Sequence, residues 1–146
     1  GFKILNVITW AKTNPPPNLA CRCFTHSTET ILWAKKNDKK SRHFFDYQKM
    51  KEMNGGKQMK DVWTGALTKP SEKTEGKHPT QKPEYLLEKI VLASTEEGQV
   101  ILDPFCGSGT TGVEAVRFGR KFIGIDVSEE YLEISKRRLE KVANDK

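Results

Sequence analysis

The chain has 146 residues, 36% of them hydrophobic and 30% charged, which fits one globular domain with a modest core. Its 25 basic residues outnumber its 19 acidic ones, and this excess favours a polyanionic partner such as nucleic acid. No apolar run reaches the roughly 20 residues that a membrane span needs, so no membrane partner is expected. Three cysteines, an odd number, do not make a disulfide framework, and we expect a reducing, cytoplasmic location.

The N-terminal half predicts two strands and then a variable segment. β-Branched and aromatic residues fill residues 4–10 (ILNVITW) and 29–36 (ETILWAKK), and turn-forming segments (TNPPPN, KNDKK) follow each of them. Residues 37–77 differ, because they are rich in Lys, Met, Gly and Ser and show only a weak helical pattern at 45–53. We therefore expect a strand pair within residues 1–36 and irregular structure in most of the next forty.

The C-terminal half predicts alternating helices and strands. Pro83 and Glu84 suit a helix start, and an apolar stripe continues from them to about Thr95. The elements expected after this helix are strand 99–103, helix 110–118, strand 121–126 and a last helix capped by Ser128. This β-α-β-α order predicts right-handed crossovers and a parallel sheet with helices on both faces.

The predicted sheet is incomplete. Two parallel strands do not make such a sheet, so further strands must come from upstream, where only the segments near Ile8 and Ile31 qualify. Doubly wound sheets usually need more strands than that. The chain also opens with GFKILN, almost directly in a strand and without an initiating Met. We therefore expect the chain to be part of a longer protein.

The stretch VILDPFCGSGTTGVEA carries the clearest chemical signal. Gly107, Gly109 and Gly112 match G-x-G-x-x-G, a loop that approaches a dinucleotide pyrophosphate. Asp103 stands between the strand and this loop, where its carboxylate would repel a phosphate and attract a cationic ligand. S-adenosylmethionine carries an ammonium and a sulfonium but no phosphate, and Asp126 after the next strand suits its ribose hydroxyls. An NAD site, which would also use Asp126, and a bare structural turn are the alternatives; a Walker loop would need Gly-Lys-Ser/Thr.

The combined motifs resemble a known family. KHPTQKP before a helix, then VILDPFCGSGTTG, GRKFIGID and YLEISKRRL, resemble the C-terminal part of amino-group DNA methyltransferases of the β arrangement, which modify adenine N6 or cytosine N4. GFKILNVITWAKTNPPPN, THSTETILWAKKNDKK and MKDVWTG are most similar to the DpnA type of adenine methyltransferase from GATC-specific restriction systems. The resemblance implies an α/β, Rossmann-like, S-adenosylmethionine-dependent methyltransferase sheet, incomplete in this C-terminal part of one domain, with residues 78–146 as the cofactor-binding region.

The resemblance also implies a set of cofactor contacts. Asp103 would meet the methionine ammonium, and Asp126 the ribose hydroxyls. Phe105 would pack beside the adenine or cofactor pocket. The HPTQKP segment would close the other side, with Thr80 and Lys82 as candidates for the methionine carboxylate, although a helix-capping loop is an alternative for this segment. The predicted cofactor-binding residues are Asp103, Phe105, Gly107, Ser108, Gly109, Thr110, Thr111, Asp126, Thr80, Gln81 and Lys82.

The resemblance further implies direct methyl transfer to a base flipped out of the duplex. In the family a (Asp/Asn/Ser)-Pro-Pro-(Tyr/Phe/Trp) loop polarises the amino group and stacks on the base. The only match here is residues 14–17, Asn-Pro-Pro-Pro, which lacks the aromatic residue and follows the strand that it should precede. We therefore assign no catalytic residue in this chain and expect a rigid loop at residues 14–17. Cys106 is expected to be a small loop residue and not a nucleophile.

The basic run KKNDKKSR is the candidate DNA contact within the variable segment, residues 37–77. Lys39, Lys40 and Arg42 suit phosphates, and aromatic residues follow them, whereas the alternative is a solvated loop. The target sequence rests on the DpnA-type resemblance alone, and the oligomeric state is not specified. Cytosine N4 is the alternative to adenine N6, an RNA or small-molecule substrate ranks third, and a non-catalytic cofactor- or DNA-binding module is the alternative class.

Other candidate sites receive structural interpretations. Cys21 and Cys23 with His26 have a poor spacing for zinc and lack a fourth ligand, so no metal is expected. His78 is expected to make a loop hydrogen bond. The tryptophans are expected to pack inside the protein and not to stack on bases: Trp10, Trp33 and Trp63.

Overall fold

A computed structural model describes residues 1–145, which divide into two compact units. The first contains Gly1–His43 and Lys51–Leu67, and the second contains Phe44–Met50 and the chain from Thr68 onward. The elements in chain order are strand β1 (Phe2–Lys12), strand β2 (Thr28–Lys36), helix α1 (Tyr47–Met53), strand β3 (Val62–Gly65), a 3-10 helix (Pro70–Lys73), helix α2 (Glu84–Ser94), strand β4 (Val100–Asp103), helix α3 (Thr110–Arg117), strand β5 (Lys121–Gly124) and helix α4 (Glu129–Asn144). None of the helices within residues 1–145 combines the length and apolar character of a transmembrane span.

The first unit is built on a three-stranded sheet in the order β2-β1-β3. β1 runs antiparallel to β2 and parallel to β3, and β1 and β2 contain the two predicted strands. Trp10 lies opposite Trp63 across β1 and β3, and both are buried, which confirms their predicted packing role. β3 was not predicted, because four residues (VWTG) are too short to show a strand periodicity.

Residues 14–17 lie in the loop between β1 and β2, as predicted. The side-chain oxygen of Asn14 accepts a hydrogen bond from the backbone N–H of Leu67 at 2.8 Å. Pro17 is exposed. The amide group of Asn14 therefore holds this loop against the chain that follows β3.

The second unit confirms the predicted order β4-α3-β5-α4, with β4 and β5 parallel. α2 and α3 begin and end within one residue of the predicted bounds. Ser128 caps α4 as expected, because its hydroxyl oxygen accepts a hydrogen bond from the N–H of Tyr131 at 3.3 Å. The apolar core of this unit comes from α2, α3 and α4, and its buried members include Leu86, Val91, Leu92, Val113, Ala115 and Ile134.

Two expectations about the sheet are wrong for the described residues. The upstream strands pair with β3 in a sheet of their own and do not extend the β4–β5 pair. The second face of the β4–β5 pair is also uncovered, since Val100, Leu102 and Ile123 are 57%, 59% and 52% exposed. Both errors have one physical cause: alternating hydrophobicity shows which side chains can be buried, but not which element covers them.

Candidate functional site

The glycine loop joins β4 to α3 and is closely packed. Gly107 and Gly109 have φ angles of +51° and +74°, a region that glycine adopts readily. A Cβ atom on Gly109 would lie 2.1 Å from the hydroxyl oxygen of Ser135, and one on Gly107 would lie 2.9 Å from Nε2 of His78. The loop therefore needs glycine at both positions, for its backbone conformation and for the space that its neighbours occupy.

Asp103 ends β4 and points its carboxylate at the start of α3. One oxygen accepts a hydrogen bond from the hydroxyl of Thr111 at 2.6 Å, and the other accepts one from the N–H of Phe105 at 3.1 Å. The carboxylate is half-buried, and each oxygen has a second lone pair for a ligand. Asp103 is therefore a fixed anionic group at the carboxyl end of a parallel strand, where open α/β sheets bind their ligands.

Asp126 lies on the other side of the loop, two residues after β5. Its oxygens accept hydrogen bonds from the N–H groups of Gly107 at 2.8 Å and Ser128 at 2.9 Å. The bond from Ser128, and then that from Gly107, lower the pKa of Asp126. Two carboxylates thus flank one glycine loop, an arrangement that disfavours a pyrophosphate and suits a ligand with a cationic centre.

A cavity of about 180 Å³ lies between the glycine loop and the HPTQKP segment. His78 and Leu87 contribute to its wall. Nine of the eleven predicted cofactor-binding residues line it: Asp103, Phe105, Gly107, Ser108, Thr110, Thr111, Thr80, Gln81 and Lys82. The other two lie beside it, because Gly109 packs against Ser135 and Asp126 bonds to Gly107. Folding therefore brings together two motifs that are more than twenty residues apart in the sequence.

The HPTQKP segment both lines this cavity and leads into α2. Nδ1 of His78 accepts a hydrogen bond from the N–H of Thr80 at 3.2 Å, which confirms the expected loop hydrogen bond. The ring of His78 packs edge-on against Tyr131 with 4.2 Å between centroids. Burial lowers the pKa of His78. Pro83 occupies the N-cap of α2, so the alternative of a helix-capping loop describes the end of the same segment.

Two residues of the DPFC sequence differ sharply in exposure. Phe105 is 87% exposed, so its ring is free to pack against a ligand. Cys106 is buried, and this burial raises the pKa of its thiol, as do the nearby carboxylates of Asp103 and Asp126. A buried, protonated thiol is a poor nucleophile, in agreement with the structural role predicted for Cys106.

Arg138 of α4, which is not among the predicted cofactor-binding residues, is hydrogen-bonded to the glycine loop. Its guanidinium is 5% exposed and donates hydrogen bonds to the carbonyl oxygen of Ser108 at 2.7 Å and to the hydroxyl oxygen of Thr110 at 3.0 Å. It also donates to the carboxylate of Glu84 at 3.0 Å. The sequence offers one signal that Arg138 is buried. It lies four residues after the apolar Ile134 and therefore on the same face of α4, which is the buried face.

The same hydrogen-bond network ties the glycine loop to the HPTQKP segment. The hydroxyl of Ser108 donates to the side-chain oxygen of Gln81 at 3.2 Å. Ser108, Thr110 and Gln81 are 3%, 6% and 8% exposed, and their side chains bond within the protein. These three predicted residues therefore shape the wall of the cavity, while Asp103, Thr111 and the exposed Phe105 present side chains at its surface.

Glu114 of α3 extends this network into the core. It is fully buried, and it accepts a hydrogen bond from Arg117, which also donates to Glu84 at 2.9 Å. Its second oxygen has no hydrogen-bond partner among the described residues. Burial raises the pKa of Glu114 to about 7, although the charge of Arg117 acts in the opposite direction. A carboxyl group behind the glycine loop therefore changes its charge near neutral pH.

We expect Glu114 to make the stability of the chain depend on pH. Its pKa is raised from 4.5 in the unfolded chain to about 7 in the folded protein, so the folded state holds the proton more tightly. The stabilisation from this proton is complete below pH 4.5 and is lost as the pH rises to about 7, at about 1.4 kcal/mol per pKa unit. Glu114→Gln is neutral at every pH and should gain about 3 kcal/mol relative to the parent between pH 4.5 and pH 8 in urea unfolding.

Glu133→Gln, at an exposed position of α4, is the matched control and should change little with pH. If the difference between the parent and Glu114→Gln stayed constant over this range, the raised pKa of Glu114 would be wrong.

Comparison with known proteins decides the family. A family model described as DNA methylase, for N6 and N4 methyltransferases, matches residues 1–137. The chain belongs to this DNA methylase family. It is 75% identical over 143 residues to the type II methyltransferase M2.LlaDCHI of Lactococcus lactis subsp. cremoris, covering 98% of this chain and 53% of that protein. It is 74% identical over 140 residues to the type II methyltransferase M2.DpnII of Streptococcus pneumoniae, covering 96% of this chain and 52% of that protein.

A solved structure shows the same fold. The crystal structure of an M1.HpyAVI–SAM complex superposes with a TM-score of 0.75 at 40% identity, covering 95% of this chain and 63% of that one. The family resemblance and the Rossmann-like methyltransferase fold class are therefore confirmed. The chain spans about half the length of the curated relatives that it matches.

Proposed function

We propose that the protein is an S-adenosylmethionine-dependent DNA methyltransferase of a restriction–modification system that modifies adenine N6. The observation that carries this proposal is the cavity where Asp103, Thr111 and the HPTQKP segment meet. It combines a fixed carboxylate with a glycine loop, and a second carboxylate, Asp126, flanks that loop. Membership of the DNA methylase family supports the same reaction class.

The residues present fit S-adenosylmethionine. The carboxylate of Asp103 suits the methionine ammonium, and Thr80 and Lys82 on the opposite wall suit the methionine carboxylate. A volume of about 180 Å³ suits the amino-acid end of the ligand, leaving the nucleoside to extend along the rim. Asp126 suits the ribose hydroxyls, and the exposed ring of Phe105 offers an apolar surface for adenine. When bound, S-adenosylmethionine supplies an electrophilic methyl group, which the amino nitrogen of a flipped base receives by direct displacement.

DNA with the sequence GATC is the proposed substrate, on the basis of the DpnA-type resemblance. The carboxylate of Asp38 accepts a hydrogen bond from the N–H of Lys40 and fixes the turn that carries the basic run. Lys39, Lys40 and Arg42 are exposed on this turn and suit DNA phosphates. A cytoplasmic location completes the proposal, in keeping with three free cysteines.

Two other functions have specific support. Cytosine N4 is the alternative acceptor, because the matching family model covers both N6 and N4 enzymes. A cofactor- or DNA-binding module without catalysis is the alternative for these 146 residues, because their Asn-Pro-Pro-Pro sequence offers no aromatic residue for a flipped base.

The cofactor assignment predicts a loss of affinity in Asp103→Ala. The carboxylate is half-buried and would form a charged hydrogen bond with the methionine ammonium, so its removal should weaken S-adenosylmethionine binding by about 1.5 to 3 kcal/mol in calorimetry. Thr111→Val separates this effect from the loss of the internal hydrogen bond, since it removes only the 2.6 Å contact to Asp103. The valine variant should lose about 1 kcal/mol or less.

Equal affinities of the parent and Asp103→Ala for S-adenosylmethionine would contradict the assignment of Asp103. Tighter binding of NAD than of S-adenosylmethionine by the parent would contradict the cofactor itself.

A further inference from the structure

A second, larger cavity of about 680 Å³ adjoins the candidate cofactor site. Its wall is formed by Thr68, Pro70, Lys73, Lys77, His78 and Pro79. His78 also lines the smaller cavity beside the glycine loop. The two cavities therefore meet at one side chain, and the larger one contributes two lysines that the proposed cofactor contacts do not use.

The acidic residues close to these lysines in the sequence bond to other groups. The carboxylate of Glu72 accepts a hydrogen bond from the N–H of Glu84 at 2.8 Å. The carboxylate of Glu75 pairs with the ammonium of Lys141 at 3.1 Å. The ammonium groups of Lys73 and Lys77 make no ion pair within residues 1–145. The positive charges of Lys73 and Lys77 are therefore not neutralised by the carboxylates of Glu72 and Glu75 in the same segment.

The segment that carries the two lysines is held in place at several points. The guanidinium of Arg137 donates a hydrogen bond to the carbonyl oxygen of Glu75 at 2.9 Å. The side-chain amide of Gln81 donates to the backbone carbonyl oxygen of Glu72 at 2.7 Å. The hydroxyl of Thr68 donates to the backbone carbonyl oxygen of Gln81 at 2.5 Å. The backbone of this segment is thus hydrogen-bonded to α4 and to the HPTQKP segment.

We propose that Lys73 and Lys77 bind backbone phosphates of the DNA strand whose base is flipped toward the cofactor cavity. This inference rests on the proposed function. A base must leave the duplex for its amino group to reach the methyl donor, and its own phosphates then lie at the mouth of the site. Lysines around an open cavity at that mouth neutralise phosphates without reading sequence, which positions the strand.

The test is the salt dependence of DNA binding by the 146-residue chain saturated with S-adenosylmethionine. The probe is a fluorescent duplex containing GATC, and its affinity is measured by anisotropy at several salt concentrations. Lys73→Gln/Lys77→Gln should flatten the log–log slope by about 2, at about 0.9 per phosphate. Lys121→Gln/Lys136→Gln removes the same charge from exposed positions outside the cavity and should retain the slope of the parent.

Calorimetry with S-adenosylmethionine is the check on folding: both double variants should bind the cofactor as tightly as the parent, because neither pair of lysines lines the smaller cavity. If the parent and Lys73→Gln/Lys77→Gln bound DNA with the same salt slope, the inference would be overturned and the proposed function would stand. The same conclusion would follow if Lys121→Gln/Lys136→Gln flattened the salt slope as much as Lys73→Gln/Lys77→Gln. Cofactor binding without any DNA binding by the parent would overturn both.

Discussion

With S-adenosylmethionine and GATC-containing DNA, the 146-residue chain is expected to transfer methyl groups at no more than the background rate. Its only match to the polarising tetrapeptide is residues 14–17, Asn-Pro-Pro-Pro. The side-chain oxygen of Asn14 is engaged by the N–H of Leu67 at 2.8 Å, and Pro17 has no aromatic face. Stacking on a flipped base contributes about 1 to 3 kcal/mol, and one lost polarising contact typically costs about 10² to 10³ in rate.

A radiolabelled-methyl assay measures this directly. The control adds, as a separate polypeptide, the portion of the Streptococcus pneumoniae relative that lies outside the match, which should restore transfer if the two parts associate. Cofactor binding should persist without that portion, because Asp103, Thr111 and Asp126 are all present. Robust transfer by the chain alone, lost in Asn14→Ala, would show that residues 14–17 are catalytic.

The largest loss of stability is expected from Arg138→Met. The substitution removes hydrogen bonds to Ser108 and Thr110 and leaves the carboxylate of Glu84 without one of its two arginine partners. Breaking a buried ion pair from one side costs about 3 to 5 kcal/mol, and urea unfolding measures that loss. Because Arg138 holds the carbonyl of Ser108, the folded variant should also bind S-adenosylmethionine more weakly.

Arg137→Met is the matched control for this substitution. Arg137 is the preceding residue of α4, is exposed, and bonds to the carbonyl oxygen of Glu75. Its replacement should cost less than about 1 kcal/mol. Equal losses from Arg137→Met and Arg138→Met would mean that the buried network does not stabilise the glycine loop.

Local chemistry in the sequence was enough to predict the local structure around the glycine loop and at the starts of α2 and α4. Ser128 as a helix cap, Pro83 at the start of α2 and the glycines at 107 and 109 follow from backbone conformations that few other residues adopt. Asp103 beside such a loop favoured a cationic ligand over a phosphate for electrostatic reasons alone. These inferences needed no tertiary contacts, since each depends on neighbours within a few residues.

The tertiary structure decided which distant residues pack against these local features. Arg138 is not among the predicted cofactor-binding residues, but folding buries it against Ser108 and Thr110, which lie thirty and twenty-eight positions earlier in the chain. The uncovered face of the β4–β5 pair and the pairing of β1 with β3 were likewise decided by long-range contacts. Periodicity determines which face of an element can be buried, and only the packed fold determines which partner buries it, because that choice depends on contacts between distant segments.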